Sequence, residues 1–318
     1  MKKGTMFLLS IMTILMFTGC KANSVSENKK VNVNEAVQII VSKDFGNETV
    51  FDKNIPFEED TSIMDIMQEN FDIETAYGGG FVNAINGIKS GFTGAKEKRK
   101  RDWFYYVNGI LSQVGAGDFY LKPDDVVIWD YHDWSNNMYM SSIIGAYPKN
   151  FICDDEDAVE KTEIRYDKTY ENESKKLAVF LKDRGLTNLQ LANLDGKDIA
   201  NEKVNTIMIG TWDEMVKIDY IKELYENRKK VGLFFNMDND IKALTFMGEV
   251  TKEYDKAAVI ASIVKGYGST GTLWLVTGND ENCIKRAVKL LYEKPEELRG
   301  KFAAIVTEQE ILNIPTLN

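Results

Sequence analysis

The chain has 318 residues, 44% of them hydrophobic, with 49 acidic against 39 basic side chains and a net charge of −10. That length and apolar content suffice for about two domains of ~100 to 200 residues with real cores, which excludes a disordered chain. The acidic balance gives a phosphate backbone no electrostatic footing, so a nucleic-acid partner is excluded as well.

Lys2 and Lys3 precede an apolar run from Met6 to Phe17 that ends in Phe17-Thr18-Gly19-Cys20. A basic start, an apolar stretch too short to span a bilayer and a small residue before cysteine predict a secretion signal over residues 1–20. The Gly-Cys end resembles the lipobox of bacterial lipoproteins, with Phe17 where leucine is more usual. That resemblance implies cleavage before Cys20, acylation of its thiol with palmitate or a related chain, and a protein anchored by lipid on the outer face of the cell membrane. Residues 21–34 are polar and suit a flexible tether. With Cys20 acylated, Cys153 and Cys283 remain; they carry no metal-ligand spacing and read as small hydrophobes, and their pairing is left open.

Residues 35–43 and 48–53 predict a hairpin, with Val37, Ile39 and Val41 on a buried face. Thr61 to Asn70 carries Ile63, Met64, Ile66 and Met67 at helical spacing, with Thr61 as N-cap and Asp65 in the first turn. Tyr77-Gly78-Gly79-Gly80-Phe81 predicts a loop with positive φ whose glycines let backbone amides approach a flat ligand, with Tyr77 and Phe81 on either side. The basic run Lys96 to Arg101 reads as a solvated loop or as a patch for anionic polymer or lipid headgroups.

Asp102 to Trp134 is the most informative stretch. The aromatic and β-branched run Trp103 to Val107 meets Asn108-Gly109, a strong hairpin signal, so strands are expected on either side of Gly109. A turn at Lys122-Pro123-Asp124-Asp125 leads to a strand from Val126 to Tyr131. Period-two alternation puts Val126, Ile128 and Asp130 on one face and Val127, Trp129 and Tyr131 on the other. Hairpin, helix, glycine-rich crossing and further strands predict an α+β domain of β-grasp-like order over residues 35–135.

The aromatic strand, Asn108-Gly109, Gly115, Gly117, Tyr120, the Pro123-Asp124-Asp125 turn and the closing strand with Trp129 and Trp134, preceded by the glycine-rich Tyr77 to Gly91, resemble the transcobalamin-like C-terminal domain family (DUF4430). One departure is Asp124, where that family's turn usually has glycine; aspartate also visits the left-handed region. The resemblance implies a domain that carries a corrinoid, a large disc that needs aromatic walls and backbone donors and no catalytic group. Tyr77, Gly79, Phe81, Trp103, Tyr105, Asn108, Tyr120, Trp129, Tyr131 and Trp134 are the ligand-binding candidates on that basis. In the animal carriers a helical domain supplies the other half of the clamp, and this chain lacks it.

Residues 136–168 are polar and mixed and read as a linker, with a short element over Met138 to Ala146. Residues 169–318 then alternate. Helices are expected at Glu173–Arg184, Trp212–Arg228, Tyr254–Lys265 and Asp280–Tyr292, and strands at Asn188–Ala192, Val204–Gly210, Lys230–Phe235, Thr272–Thr277 and Phe302–Val306. This predicts an α/β domain with a mainly parallel sheet.

Catalytic patterns are scarce. The turns Gly210 to Asp213 and Thr277 to Asp280 lead from strands into helices and could hold an anion on free amides, but neither has a phosphate-loop pattern. Gly266 to Gly271 reads as a connecting turn. The single histidine, His132, follows Asp130 in a way that resembles the start of a cobalt-coordinating motif of some B12 enzymes, without the glycine that should follow. It reads as a strand-end histidine near solvent. A non-enzymatic lipoprotein that captures cobalamin, a related corrinoid or another small ligand, requires no cofactor and passes its cargo to an uptake transporter is the expectation. The alternative is a surface module that binds protein or cell-wall polymer.

Overall fold

A computed structural model describes residues 35–136, 140–152 and 159–317; the signal sequence, Cys20, the tether and Cys153 lie outside them. In the first half, β1 (Ala36–Lys43) and β2 (Glu48–Pro56) form the expected hairpin, and α1 (Ile63–Asn70) follows. The helix starts one residue later than predicted, because the Ser62 hydroxyl accepts from the Asp65 amide while the Asp65 carboxylate accepts from the Ser62 amide. That reciprocal capping box outcompetes Thr61, whose hydroxyl bonds the Glu58 carbonyl. Strands β3 (Ile73–Ala76), β4 (Phe81–Ile85) and β5 (Ile88–Lys89) make a small antiparallel sheet.

Strands β6 (Arg101–Val107), β7 (Ile110–Leu111) and β8 (Val126–Asp133) complete the main sheet, in the order β2-β1-β8-β6-β7 with β1 and β8 parallel. Asn108 and Gly109 take φ of 50° and 82°, as their hairpin requires, and Asp124 takes 63°. The middle strand is only two residues long. Residues 116–121 instead serve the start of α1, where the amides of Ile63 and Met64 donate to the carbonyls of Phe119 and Ala116.

The two faces of β8 go to different cores. Val127 and Trp129 pack with Val37, Ile39, Val41 and the apolar side of α1. Val126 and Ile128 pack with Ile40, Tyr106, Ile143 and, from the far end of the chain, Phe234, Phe246 and Phe302. The alternation read from the sequence is therefore correct, but both faces are dry.

The stretch read as a linker joins that second core. Ile143 and Ile144 are fully buried, and their amides donate to the carbonyls of Gly109 and Phe302. It also contains β9 (Lys161–Tyr166). Next come α2 (Glu171–Asp183), β10 (Leu189–Asn193) and β11 (Val204–Thr211). The segment expected as one helix from Trp212 is three, α3 (Trp212–Met215), α4 (Asp219–Glu226) and α5 (Arg228–Val231). Gly232, at φ 85°, ends the last of them and delays the next strand. Strands β12 (Phe235–Met237), β13 (Ile241–Leu244) and β14 (Val250–Tyr254) form a separate antiparallel sheet. Then β15 (Ala258–Val264), β16 (Thr272–Gly278), α6 (Glu281–Glu293), β17 (Ala303–Val306) and β18 (Ile311–Ile314) close the chain.

The large sheet runs β10-β9-β11-β16-β15-β17-β18. It is parallel from β10 to β16 and antiparallel from β16 to β18, so it is mixed and not mainly parallel. The cause is β15, which lies within the Tyr254–Lys265 segment expected as a helix. Val259, Ile260 and Ile263 make it a strand buried on both faces, and it pairs with β16 as a hairpin through Gly266 to Gly271. Helices α2 and α6 cover one side of this sheet, and α3, α4 and β12–β13 cover the other. No helix among the described residues is long and apolar enough to cross a membrane.

The halves are joined through the turn between β1 and β2. Asp44, Phe45 and Gly46 all have positive φ, at 53°, 63° and 74°, a strained path for the two side-chain-bearing residues. Asp130, with no exposed surface, holds that turn: its carboxylate accepts from the Phe45 and Gly46 amides at 2.9 Å each and from the Ser42 hydroxyl at 2.6 Å. A side chain on Gly46 would begin 2.2 Å from the Gly300 carbonyl oxygen, so the turn sits directly on the second half. Asn313 donates to the Phe45 carbonyl at 2.9 Å and accepts from the Phe302 amide at 3.0 Å. Replacing Asp130 by alanine strands these buried donors and is expected to cost about 3 to 5 kcal/mol in urea unfolding. A loss under about 1 kcal/mol would show that the turn holds without the carboxylate.

Candidate functional site

His132 is not near solvent. It is 2% exposed, its Nδ1 lies 2.8 Å from Asp130 Oδ1, and its ring stacks between Phe45 at 4.6 Å and Phe104 at 4.4 Å. The strand is covered on that side by Phe302 and Phe246, which sequence reasoning could not place beside it. With one nitrogen engaged and both ring faces covered, His132 belongs to the joint between the halves.

The aromatic candidates divide into two groups. Trp103 and Trp129 are 6% and 3% exposed, and the register places Trp103 opposite Tyr131 and Tyr105 opposite Trp129, with ring centroids 5.2 Å and 4.8 Å apart. These four rings form a cross-strand cluster on the side of the sheet that α1 covers. The Trp103 indole donates to the Ile88 carbonyl, and Tyr131 to that of Lys89. Trp134 lies apart, donating to Asp102 at 2.7 Å with Lys100 over its ring. Lys98 over Phe92 and Arg101 over Tyr131 continue this basic, aromatic edge.

The second group stands in water. Tyr77 is 81% exposed and Tyr120 59%; Val114, an aliphatic residue outside the candidates, is 50% exposed. Tyr77, Gly78 and Gly79 follow one another in the left-handed region at φ 52°, 73° and 101°, which turns the Tyr77 ring outward, with Phe81 edge-on at 6.1 Å. A side chain on Gly115 would begin 3.9 Å from the Gly80 carbonyl oxygen, so the two glycine-rich loops are neighbours.

Beside Val114 opens a largely apolar cleft of about 290 Å³. Val107, Ile110, Leu111 and Phe119 line it from the first half, and Ile152, Val264 and Gly268 to Thr270 from the second. Sequence reading missed most of these residues, because a cleft between a hairpin at 107–111 and another at 264–272 has no local signature. Asn108 was the one candidate found in it.

Among its polar groups are Asn108, Asp125 and Asn150. Asn108 donates to Asp125 at 2.8 Å and accepts from the Val126 amide at 2.9 Å, while the Lys122 amide donates to Asp125 at 2.9 Å. Burial raises the Asp125 carboxyl above the usual range, against the pull of these hydrogen bonds. Asn150, 3% exposed, brings an amide oxygen that has no partner among the described residues. A side chain on Gly109 would begin 2.0 Å from the Asn150 nitrogen, so only glycine lets the hairpin approach so closely. The arrangement can enclose an apolar edge of a ligand.

The other candidates offer less. At Gly278 to Asp280 the Asp280 carboxylate already accepts from the Cys283 amide at 2.9 Å, and Asp213 and Glu214 occupy the single turn of α3, so neither helix start is open to an anion. No group of three histidine, cysteine or carboxylate side chains among the described residues could hold a metal. A charge network joins the buried Glu163 and Arg165 to the more exposed Lys161 and Asp195, with guanidinium donors of Arg165 directed at Glu163 and Asp195. Close by, Lys265 donates to Thr206 at 2.7 Å.

Burial, with the Arg165 charge, pushes the Lys265 ammonium down to about 8 from an ordinary 10.5. A depressed lysine contributes no penalty above its unfolded value and a full one below its folded value. Lys265→Met is therefore expected to raise the urea midpoint at pH 7, with the gain shrinking between pH 8 and 10.5 and gone above that. A variant weaker than wild type at pH 7, with no trend in pH, contradicts this.

Comparison with known proteins gives one family match. The model of DUF4430, a domain of unknown function, matches residues 60–133. Among solved structures, a putative metal binding protein from Ruminococcus gnavus is similar to 31% of this chain over 97% of its own length, at 12% identity and a TM-score of 0.24. Haptocorrin in complex with Cbi is similar to 32% of this chain, at 17% identity and a TM-score of 0.24, and the match spans only 26% of haptocorrin. No curated protein matches the sequence. The chain therefore carries a DUF4430 domain over residues 60–133, which supplies the first-half wall of the cleft from Val107 to Asp125.

Proposed function

We propose that the chain is a non-enzymatic, exported lipoprotein, tethered to the outer face of the cell membrane through Cys20, that captures a small ligand with a broad apolar surface. A corrinoid such as cobalamin is the ligand class that the family resemblance favours, and an uptake transporter is the recipient. The observation that carries this reading is the largely apolar cleft, with Val114 standing 50% exposed in its first-half wall. An exposed apolar side chain in a concave apolar surface marks a binding site more than a stable monomer surface. The cleft takes one edge of a disc too large for it to enclose.

Two side chains support a carrier over a catalyst. His132 is closed in by phenylalanine rings, and burial followed by Asp280 pushes the Cys283 thiol up to about 11, far from a ready nucleophile.

Titrating the signal-free protein with cobalamin and cobinamide, followed by the corrin absorption spectrum, is expected to give a dissociation constant below about 10 μM. Val114→Asp at the exposed rim should weaken it at least tenfold. No spectral response from either corrinoid at that concentration would remove the corrinoid reading and leave a module that binds protein or cell-wall polymer. Cys20→Ser in the full-length chain is expected to move the protein from the membrane fraction to the soluble one; retention in the membrane contradicts the lipid anchor.

A further inference from the structure

On the other side of the Pro123 to Val126 turn lies a second cleft between the halves, of about 510 Å³ and of different chemistry. Lys149 and that turn form a partition, since residues of both border each cleft. Three cations line the second cleft from three separate places in the fold: Lys149 from the 140–152 segment, Arg184 at the C-cap of α2 and Arg299 ahead of β17. Gln38 and Asn54 on the β1–β2 hairpin add neutral polar groups.

The charges already present are weakly compensated. Lys149 lies 3.7 Å from Asp124, which is 80% exposed, and Arg299 lies 3.5 Å from Asp52; both are longer than a close charged hydrogen bond. Arg184 has no carboxylate at ion-pair distance among the described residues and rests on the Phe180 ring at 4.3 Å. Glu296 is exposed. Tyr147, which also lines the cleft and packs on Phe180, is 8% exposed and has a hydroxyl without a partner among the described residues. Planar guanidinium groups on two walls and an ammonium on a third suit an anion that carries several acidic oxygens.

We propose that this cleft binds a small polyanion, a phosphate ester or a polycarboxylate, independently of ligand capture in the apolar cleft. The volume of about 510 Å³ suits a compact molecule with two or three negative charges. Because the walls belong to both halves, such an anion also ties β1 and β2 to the start of β17.

Calorimetric titration of the signal-free protein with pyrophosphate and, separately, with citrate tests this. At least one is expected to bind with a submillimolar dissociation constant that weakens with added salt. Binding should fall at least tenfold in the Arg184→Gln/Arg299→Gln double variant and stay unchanged in Val114→Asp, whose failure concerns only the apolar cleft. Both arginines are exposed, and an unchanged thermal midpoint without ligand confirms that the double variant is folded. Pyrophosphate alone assigns a phosphate ester, and citrate alone a polycarboxylate. If neither binds, or if binding survives in the double variant, the proposal is overturned.

Discussion

A carboxylate with no exposure to water governs this architecture. Asp130 draws in two consecutive backbone amides, a hydroxyl and an imidazole, and thereby stabilises a turn whose Phe45 would otherwise avoid its backbone conformation. Burying a charge without partners costs several kcal/mol; four donors make it tolerable and fix one geometry. The consequence is spatial. Phe45 is pressed between His132 and Phe246 and meets Phe302, so the end of the first sheet is docked on the second half.

That docking explains why the clefts exist. The Asn108-Gly109 hairpin and the Lys122 to Val126 turn belong to the DUF4430 domain, but both face residues from beyond position 140. Each cleft is a gap left between two bodies whose relative position is set by Asp130, the buried 140–152 segment and Asn313. One gap is largely apolar; the other is lined by three cations together with the exposed carboxylates of Asp124 and Glu296. The turn between them is held by Asp125, which bonds Asn108 on one side and the Lys122 amide on the other.

What could be read from the sequence followed from local chemistry. Asn108-Gly109 and Asp124 adopt the positive φ that their residue types allow, and the alternation along β8 sends Val127 and Trp129 to one core and Val126 and Ile128 to another. Trp103 and Trp129, chosen as ligand walls, are core rings, because a small sheet with one covering helix fills its interior with the largest side chains at hand. The misses are tertiary. Residues 258–264 are alanine-containing and helix-compatible until burial on both faces and pairing with β16 favour a strand. Ile143 and Ile144 sit in a polar-looking stretch, yet they bridge the Gly109 turn and Phe302. His132 looked like a surface residue, since the rings that cover it are Phe45, about ninety positions earlier, and Phe302, well over a hundred positions later.

The central claim is that the two halves form one cooperative body, joined at Asp130, and that the clefts are permanent features of it. Scanning calorimetry of the signal-free protein tests this most directly. The account predicts a single transition over residues 35–318, with calorimetric and van't Hoff enthalpies in agreement. Two resolved transitions, with the tryptophan signal of the first half lost in one and the large sheet in the other, would contradict it and reduce both clefts to accidents of docking.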